Sequence, residues 1–525
     1  MQLPTANFPT WQGVCYNEPV TEQGKILTGL MERRAIEAAF DALAQAADLT
    51  EASRCAQAVA DFGDAAVPVL LARLNTEDPK VRGGLGLVAQ RLDRARVAPA
   101  LKAAVRARDR SDQARVTALT LLERFLHEPT DAGLLGAIQN PAGIARQSLR
   151  ELIAAMEDDP AAIVEYLTQL AEQPADTPEL LMQAMPELLP HPHLVTLLRM
   201  FAQGEDARLA QQAIELLGRT RTPEALLALI GLTVGLPPER VPAAERGMRK
   251  LRLSGVQAAP AIVAGDWQAL LSPVDGMGVQ AVWLICRPTD GAAATALSLI
   301  LRDPDGILAA AQVAGPGGDE VPPVVPTGEI LSAAQPDRLR PLMLLGASFE
   351  MGRRAIYEAA QLNWANGHPP PLTYRLFSHL FWQYGPPAPD AEVEPAAEAS
   401  DRLTATLLDH PAFAGWFWQA PAVLEMADRL GARYSIAQRA AAVNDLARTA
   451  FSAADAASYG RRLRAMARWL RAARQTDAAE LAAAAAAQLA AHPAEENLLV
   501  RRLIGIGLDV AAINLSSGYD RRRAA

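Results

Sequence analysis

Few residues in this chain are spaced to do chemistry. Among seven histidines only His191-Pro192-His193 forms a close pair, and no third ligand stands near it in sequence. A catalytic or structural zinc needs three or four protein ligands, so the pair reads as a loop and not a metal site. Asp275, Asp303 and Asp305 flank two apolar runs. If those runs pair, three carboxylates meet at one sheet end, where they could bind a cation or share acid–base work. Asp-Gly and Asp-Pro are also ordinary turn formers, which is the plainer reading. Arg461, Arg464, Arg468 and Arg471 fall on one helical stripe, opposite Leu463, Met466, Ala467 and Leu470. From Gly460 onward there are eleven arginines against six acids. The stripe could dock an acidic partner or a phosphate backbone, or be a solvated face paired with acids elsewhere.

The remaining motifs are weaker. Gly83-Gly84-Leu85-Gly86 sits inside a helical pattern, where it reads as helix packing. Gly276-Met277-Gly278 precedes a strand, where it reads as a hairpin turn. Neither has the strand–loop–helix context of a phosphate-binding loop. No nucleophile elbow and no His-Glu-x-x-His helix is present. Trp416-Phe417-Trp418 and Phe381-Trp382 are core residues by default, and binding anchors if exposed. Cys15, Cys55 and Cys286 are too few and too far apart for a disulfide framework or zinc site. No cofactor or metal is expected.

The elements that must position these residues follow from composition and periodicity. Half the residues are apolar but only 5% are aromatic, and alanine is abundant, which favours helices over a β-sandwich. The net charge of −9 argues against a dedicated nucleic-acid binder, which needs a basic face. Basic residues are almost all arginine, with lysine only at 25, 80, 102 and 250; together with the alanine content this suggests a GC-rich prokaryotic genome. The N-terminus lacks a basic segment followed by an apolar run, and no stretch has the length of a membrane span. A reduced, cytoplasmic protein away from membranes is the expectation.

Prolines recur at 68, 99, 129, 160, 192 and 223, at intervals of 31, 30, 31, 32 and 31 residues. Each precedes an apolar cluster and is expected to open a helix, since proline is tolerated in a first turn. A second helix is expected some 13–16 residues later, at Val81-Arg82, Arg115-Val116, Ala145-Arg146 and Ala207-Arg208. The polar turns between, such as those at 75–79, 108–112 and 204–206, supply N-caps. The hairpin from Pro160 departs from the pattern: Pro186 falls in its second helix and predicts a break near Glu187.

The stretch Val67-Pro68-Val69-Leu70-Leu71 through Asp78, Val81-Arg82 and Leu92 resembles a HEAT repeat. Similar hairpins cover about residues 64–253. The resemblance implies an N-terminal α-solenoid, protein–protein recognition as its commonest use, and a structural role for Arg82, Arg115, Arg146 and Arg208 between neighbouring turns. Some proteins of this kind are enzymes. The di-iron hydroxylases need repeated His-Glu pairs, which this chain lacks, and the alkylpurine DNA glycosylases need a basic concave surface with an aromatic pocket, whereas the repeats here lack Trp and Tyr except Tyr166.

The sequence thus divides into an irregular lead-in (1–28), HEAT-like helical repeats (29–260), a small α/β insert (261–345), a helical segment (346–384), a Pro-rich acidic linker (385–399) and a C-terminal helical domain (400–525). Within the insert, 279–286 and 295–301 read as an antiparallel pair, although the second run begins in alanines and could be a short helix. The expected fold is mainly α. The expected function is non-catalytic binding or scaffolding of a protein partner. Enzyme or ligand-binding activity in 265–345, and nucleic-acid binding through the arginine stripe, are the alternatives.

Overall fold

The computed structural model describes residues 22–517 except 77, 130–133, 135, 174–175, 259–265, 289–293, 315–320, 334–340, 390–391, 397–398 and 432–433. Residues 1–21 of the lead-in, Cys15 and the 521–523 arginines lie outside that set. The chain forms two compact units, Met1–Ser148 and Leu149–Ala525. It is mainly helical, with one six-stranded antiparallel sheet. Among the described residues no single helix is long and apolar enough to cross a membrane.

The first unit is built of short helices. Its first helix is Glu22–Ala44, so the lead-in gives way to helix several residues before position 29. There follow Leu49–Ala60, Ala66–Ala72, Pro79–Arg91, Arg94–Arg106 and Asp112–Thr120, the last running on as a π-helical turn, Leu121–Phe125. Their apolar stripes meet in a core that includes Ile36, Phe40, Leu70, Leu85, Leu101 and Leu122. The expected turns do supply caps: Asp78 and Ser111 accept from the amides of Lys80 and Ala114. Proline is a less reliable start signal. Pro68 lies in a first turn, but Pro99 is inside Arg94–Arg106, which Asp93 caps six residues earlier.

The glycine-rich stretch is helix packing. A β-carbon on Gly84 would meet the Leu43 side chain at 3.0 Å, and one on Gly86 would meet the Phe125 ring at 2.3 Å. Side chains also join residues about one repeat apart. Arg73 pairs with Asp41 at 2.7 Å, and Arg94 with Glu128 at 2.7 Å. Asp112 receives Arg115 together with the amides of Gln139 and Asn140. Burial pushes the Asp112 carboxyl up, but those two amides and the Arg115 guanidinium hold it below its usual range.

The second unit continues with Ala162–Ala171, Thr177–Ala184, Pro192–Ala202, Ala207–Leu217, Pro223–Gly235 and Val241–Leu253. Pro192 and Pro223 open their helices, and Asp206 caps Ala207–Leu217. The predicted break is present: the helix ends at Ala184 and tightens into a 3-10 turn, Met185–Glu187. Arg208 reaches back to Glu179, again about one repeat away.

The sheet follows: β1 Trp267–Leu271, β2 Val279–Cys286, β3 Thr295–Arg302, β4 Gly306–Ala314, β5 Ile330–Ala333 and β6 Leu342–Ser348, in the order β4-β3-β2-β1-β6-β5. The 279–286 and 295–301 runs do pair antiparallel, with Trp283 opposite Ser298. The second is a strand, not a helix. No helix lies among the described residues from 267 to 348, so the α/β reading of the insert is corrected to all-β there. Its helical layer comes from elsewhere in the chain. Side chains alternate across a strand. Thus Val282, Leu284, Leu297 and Leu299 face a large core, while Leu270, Ile285 and Ala296 face a smaller one with Val321 and Val325.

That large core takes in Phe349–Ala365, then Leu372–Phe377 and His379–Trp382, and the C-terminal helices Pro421–Leu430, Ile436–Thr449, Ala453–Ala472, Thr476–Ala491 and Leu498–Ser516. The sequence divisions at 346, 385 and 400 therefore fall within one core. Trp382, Trp416 and Trp418 are buried in it, as is Phe381.

Candidate functional site

The two charged constellations meet at one residue, Asp303, which pairs with Arg461 of the stripe. Asp275, Asp303 and Asp305 do gather near one end of the sheet, at the β1–β2 and β3–β4 turns. Each carboxylate is already engaged. Asp275 Oδ1 accepts from the amides of Met277 and Val279 at 2.9 and 2.8 Å, the geometry of a turn residue. Asp305 pairs with Arg302. Asp303 receives Arg461 Nε at 2.6 Å and Arg462 Nε at 3.1 Å. Arg462 adds bonds to the carbonyls of Gly276 and Asp303 and lies 4.8 Å from the Tyr459 ring centroid. The result is a joint that clamps Ala453–Ala472 to the sheet end. Gly278 allows it: its φ is +81°, and a β-carbon there would meet the Asp303 carbonyl at 2.5 Å.

The rest of the arginine stripe is largely engaged in the same way. Arg468 pairs with Glu358 at 2.5 Å, and Arg471 donates to the Glu392 carbonyl at 3.2 Å. Arg464 is exposed. The opposite face, Leu463, Met466, Ala467 and Leu470, is buried as its spacing predicts. His191 caps Pro192–Ala202 by accepting from the His193 amide at 3.3 Å. Among the described residues no cluster of three His, Cys, Asp or Glu side chains is arranged to hold a metal ion.

Sequence patterning gave no hint of a second set of arginines. Arg199 is buried and bonds the carbonyls of Arg375 and Leu376 and the Ser378 hydroxyl, 176 to 179 residues away. Those carbonyls are the ones that the next helical turn would use. This explains why this part of the helical segment 346–384 is divided at Ser378 into Leu372–Phe377 and His379–Trp382. His379 Nδ1 bonds the Leu376 carbonyl at 3.0 Å. Burial, with the Arg199 charge beside it, pulls this imidazole down to about 3. Arg240 donates to the carbonyls of Ala202, Gly204 and Glu205 and lies over the Trp364 ring at 5.7 Å.

Above these residues opens a cleft of about 360 Å³, beside the start of β4. Its walls carry Glu205, Arg302 with Asp305, Leu308, His368, the Pro369-Pro370-Pro371 run and Arg375. Buried Asn363 fixes the β4 wall, since its amide group accepts from the Ile307 N–H at 2.8 Å and donates to the Ile307 carbonyl at 3.4 Å. It completes the strand edge as a neighbouring peptide would. Three adjacent prolines beside His368 were the one sequence signal for this place.

Comparison of the chain with protein-family models, with curated proteins and with solved structures found no match. The molecule is defined by its own architecture: short helices joined by side-chain pairs such as Arg73–Asp41 and Arg208–Glu179, and an antiparallel sheet that shares its core with the helices following it.

Proposed function

We propose that the chain is a non-catalytic binding or scaffold protein, and that the hairpins within each unit stack as in an α-solenoid of the HEAT kind, offering their outer surface to a protein partner. The observation that carries this reading is the set of bonds one repeat apart: Arg73 with Asp41, Arg94 with Glu128, Asp112 with residues 139 and 140, Arg208 with Glu179. A lone hairpin cannot bury its apolar face, so stability comes from nearest-neighbour stacking and the outer helix faces stay open for recognition. The assignment of function from this architecture is an analogy of fold. Nucleic-acid binding through Arg461, Arg464, Arg468 and Arg471 gains no support from their geometry, because three of the four are engaged within the chain.

The test is a native pull-down with chemical cross-linking. Lysines are only four, so the cross-linker must react with carboxylates. A stoichiometric protein partner cross-linked to the 29–260 helices is the expected result. Turnover of a small molecule by a chain that retains no partner would overturn the reading.

A further inference from the structure

The cleft beside β4 contains a cation with a fixed direction and no salt-bridge partner. Arg375 Nε donates to the Pro370 carbonyl at 2.7 Å. That bond orients the guanidinium and leaves its two terminal amino groups to the cleft. Arg240 stands near enough to act on Arg375 electrostatically, and Arg199 bonds the Arg375 carbonyl from beneath. Both spend their donors on carbonyls and a hydroxyl, which neutralise no charge. Among the described residues, none of these three arginines forms an ion pair. Burial accordingly pulls Arg375 down to about 10, opposed only by Glu205. The other acid of the cleft, Asp305, is taken by Arg302.

We propose that this cleft binds a small molecule through a carboxylate or phosphate group, gripped by the terminal amino groups of Arg375. A guanidinium held along one edge presents its other donors in a planar fork that matches such an oxyanion. His368 and Arg302 stand at the walls as further donors, and Leu308 with the proline run forms an apolar, stiff side for the rest of the ligand. The volume, about 360 Å³, falls in the range of small-molecule pockets. Exposed Glu205 opposes the anion and sets the affinity. This inference stands apart from partner binding by the hairpins and survives its failure.

The probes are benzoate, phenyl phosphate and inorganic phosphate, titrated into the full chain by calorimetry and by thermal shift. Benzoate against phenyl phosphate separates a planar from a tetrahedral oxyanion, and inorganic phosphate tests whether the apolar side contributes. At least one probe is expected to bind and to raise the melting temperature. Arg375→Gln should weaken that binding by about tenfold or more. Glu205→Gln, at an exposed position that the fold does not need, should strengthen it several-fold. No binding of any probe up to about 10 mM, or equal affinity in Arg375→Gln, overturns the proposal. If Arg375→Gln fails to fold, Glu205→Gln decides: tighter binding supports the site, and unchanged or weaker binding overturns it.

Discussion

Asp303 holds two arginines that differ in burial, and this separates their contributions. The Arg462 side chain is 10% exposed and the Arg461 side chain 38%. Removing one partner of a buried pair leaves an uncompensated charge, which costs about 3–5 kcal/mol, whereas an exposed pair contributes about 0–1. Arg462 keeps two carbonyls and the Tyr459 ring, so Asp303→Ala should cost about 2–3 kcal/mol, below that range. Arg461→Ala should cost less than about 1 kcal/mol. Urea unfolding of the full chain measures both, and equal shifts would refute the joint. His379 offers a second test at this scale. Its folded-state value, about 3, lies below the ordinary 6.5, so the unfolded chain binds the extra proton. Stability is therefore intact above pH 6.5 and is lost as pH falls toward 3, by up to about 1.4 kcal/mol per pH unit. The difference between the wild type and His379→Gln, measured from pH 7 to 5 before most carboxylates titrate, should show that slope. A flat difference would mean that the ring is not held neutral. The meeting of three aspartates was legible in sequence, because it follows from strand pairing. The pairing of Asp303 with Arg461 was not, because the two lie 158 residues apart and no periodicity links them.

At the scale of elements, the helices and their caps were legible because propensity, period and turn chemistry act locally. Asp78, Ser111 and Asp206 sit where the polar turns put them. What was missed or left open depends on distant contacts: the division at Ser378 is imposed by Arg199, and the choice of strand over helix for 295–301 is decided by β2 and β4, which flank it. Three glycines of one helix show how far contact overrides propensity. Replacing glycine by alanine inside a helix gains about 0.8–1 kcal/mol, while overpacking costs about 1–3. A β-carbon at Gly83 meets nothing within 4 Å, so Gly83→Ala should stabilise by about the full propensity gain. At Gly84 the neighbour is the flexible end of Leu43, 3.0–3.3 Å away, so the two effects roughly cancel. At Gly86 the Phe125 ring stands at 2.3–2.5 Å and cannot give way without moving the π-helical turn. Gly86→Ala should then be net destabilising, by about 1–2 kcal/mol. Melting temperatures in the order Gly83→Ala, Gly84→Ala, Gly86→Ala from highest to lowest are expected, and Gly86→Ala melting above wild type would contradict the packing.

For the whole molecule, the informative feature is that the sheet owns only part of its core. Composition shifts and proline-rich stretches suggest domain edges at 346, 385 and 400, since sequence reveals where the chain changes character but not what it packs against. The C-terminal helices reach the sheet at several points. Trp469 Nε1 donates to the Leu271 carbonyl at 2.9 Å, Trp416 Nε1 to the Val274 carbonyl at 2.9 Å, and Arg462 to Gly276. Met466, Trp469 and Leu470 share a core with Leu271, Val282 and Leu299. A chain cut after residue 399 would keep Phe349–Ala365 on that sheet face but uncover the part that the C-terminal helices bury, an apolar surface whose burial is worth about 25 cal/mol per Å². The truncated protein should therefore lose the cooperative unfolding transition of its sheet and bind a hydrophobic dye, and co-expression with 400–525 should restore both properties. Thermal unfolding followed by circular dichroism, with dye fluorescence, is the measurement. If residues 1–399 form a soluble protein with a cooperative transition and no dye binding, the C-terminal helices are a separate domain and the shared core is not what holds the sheet.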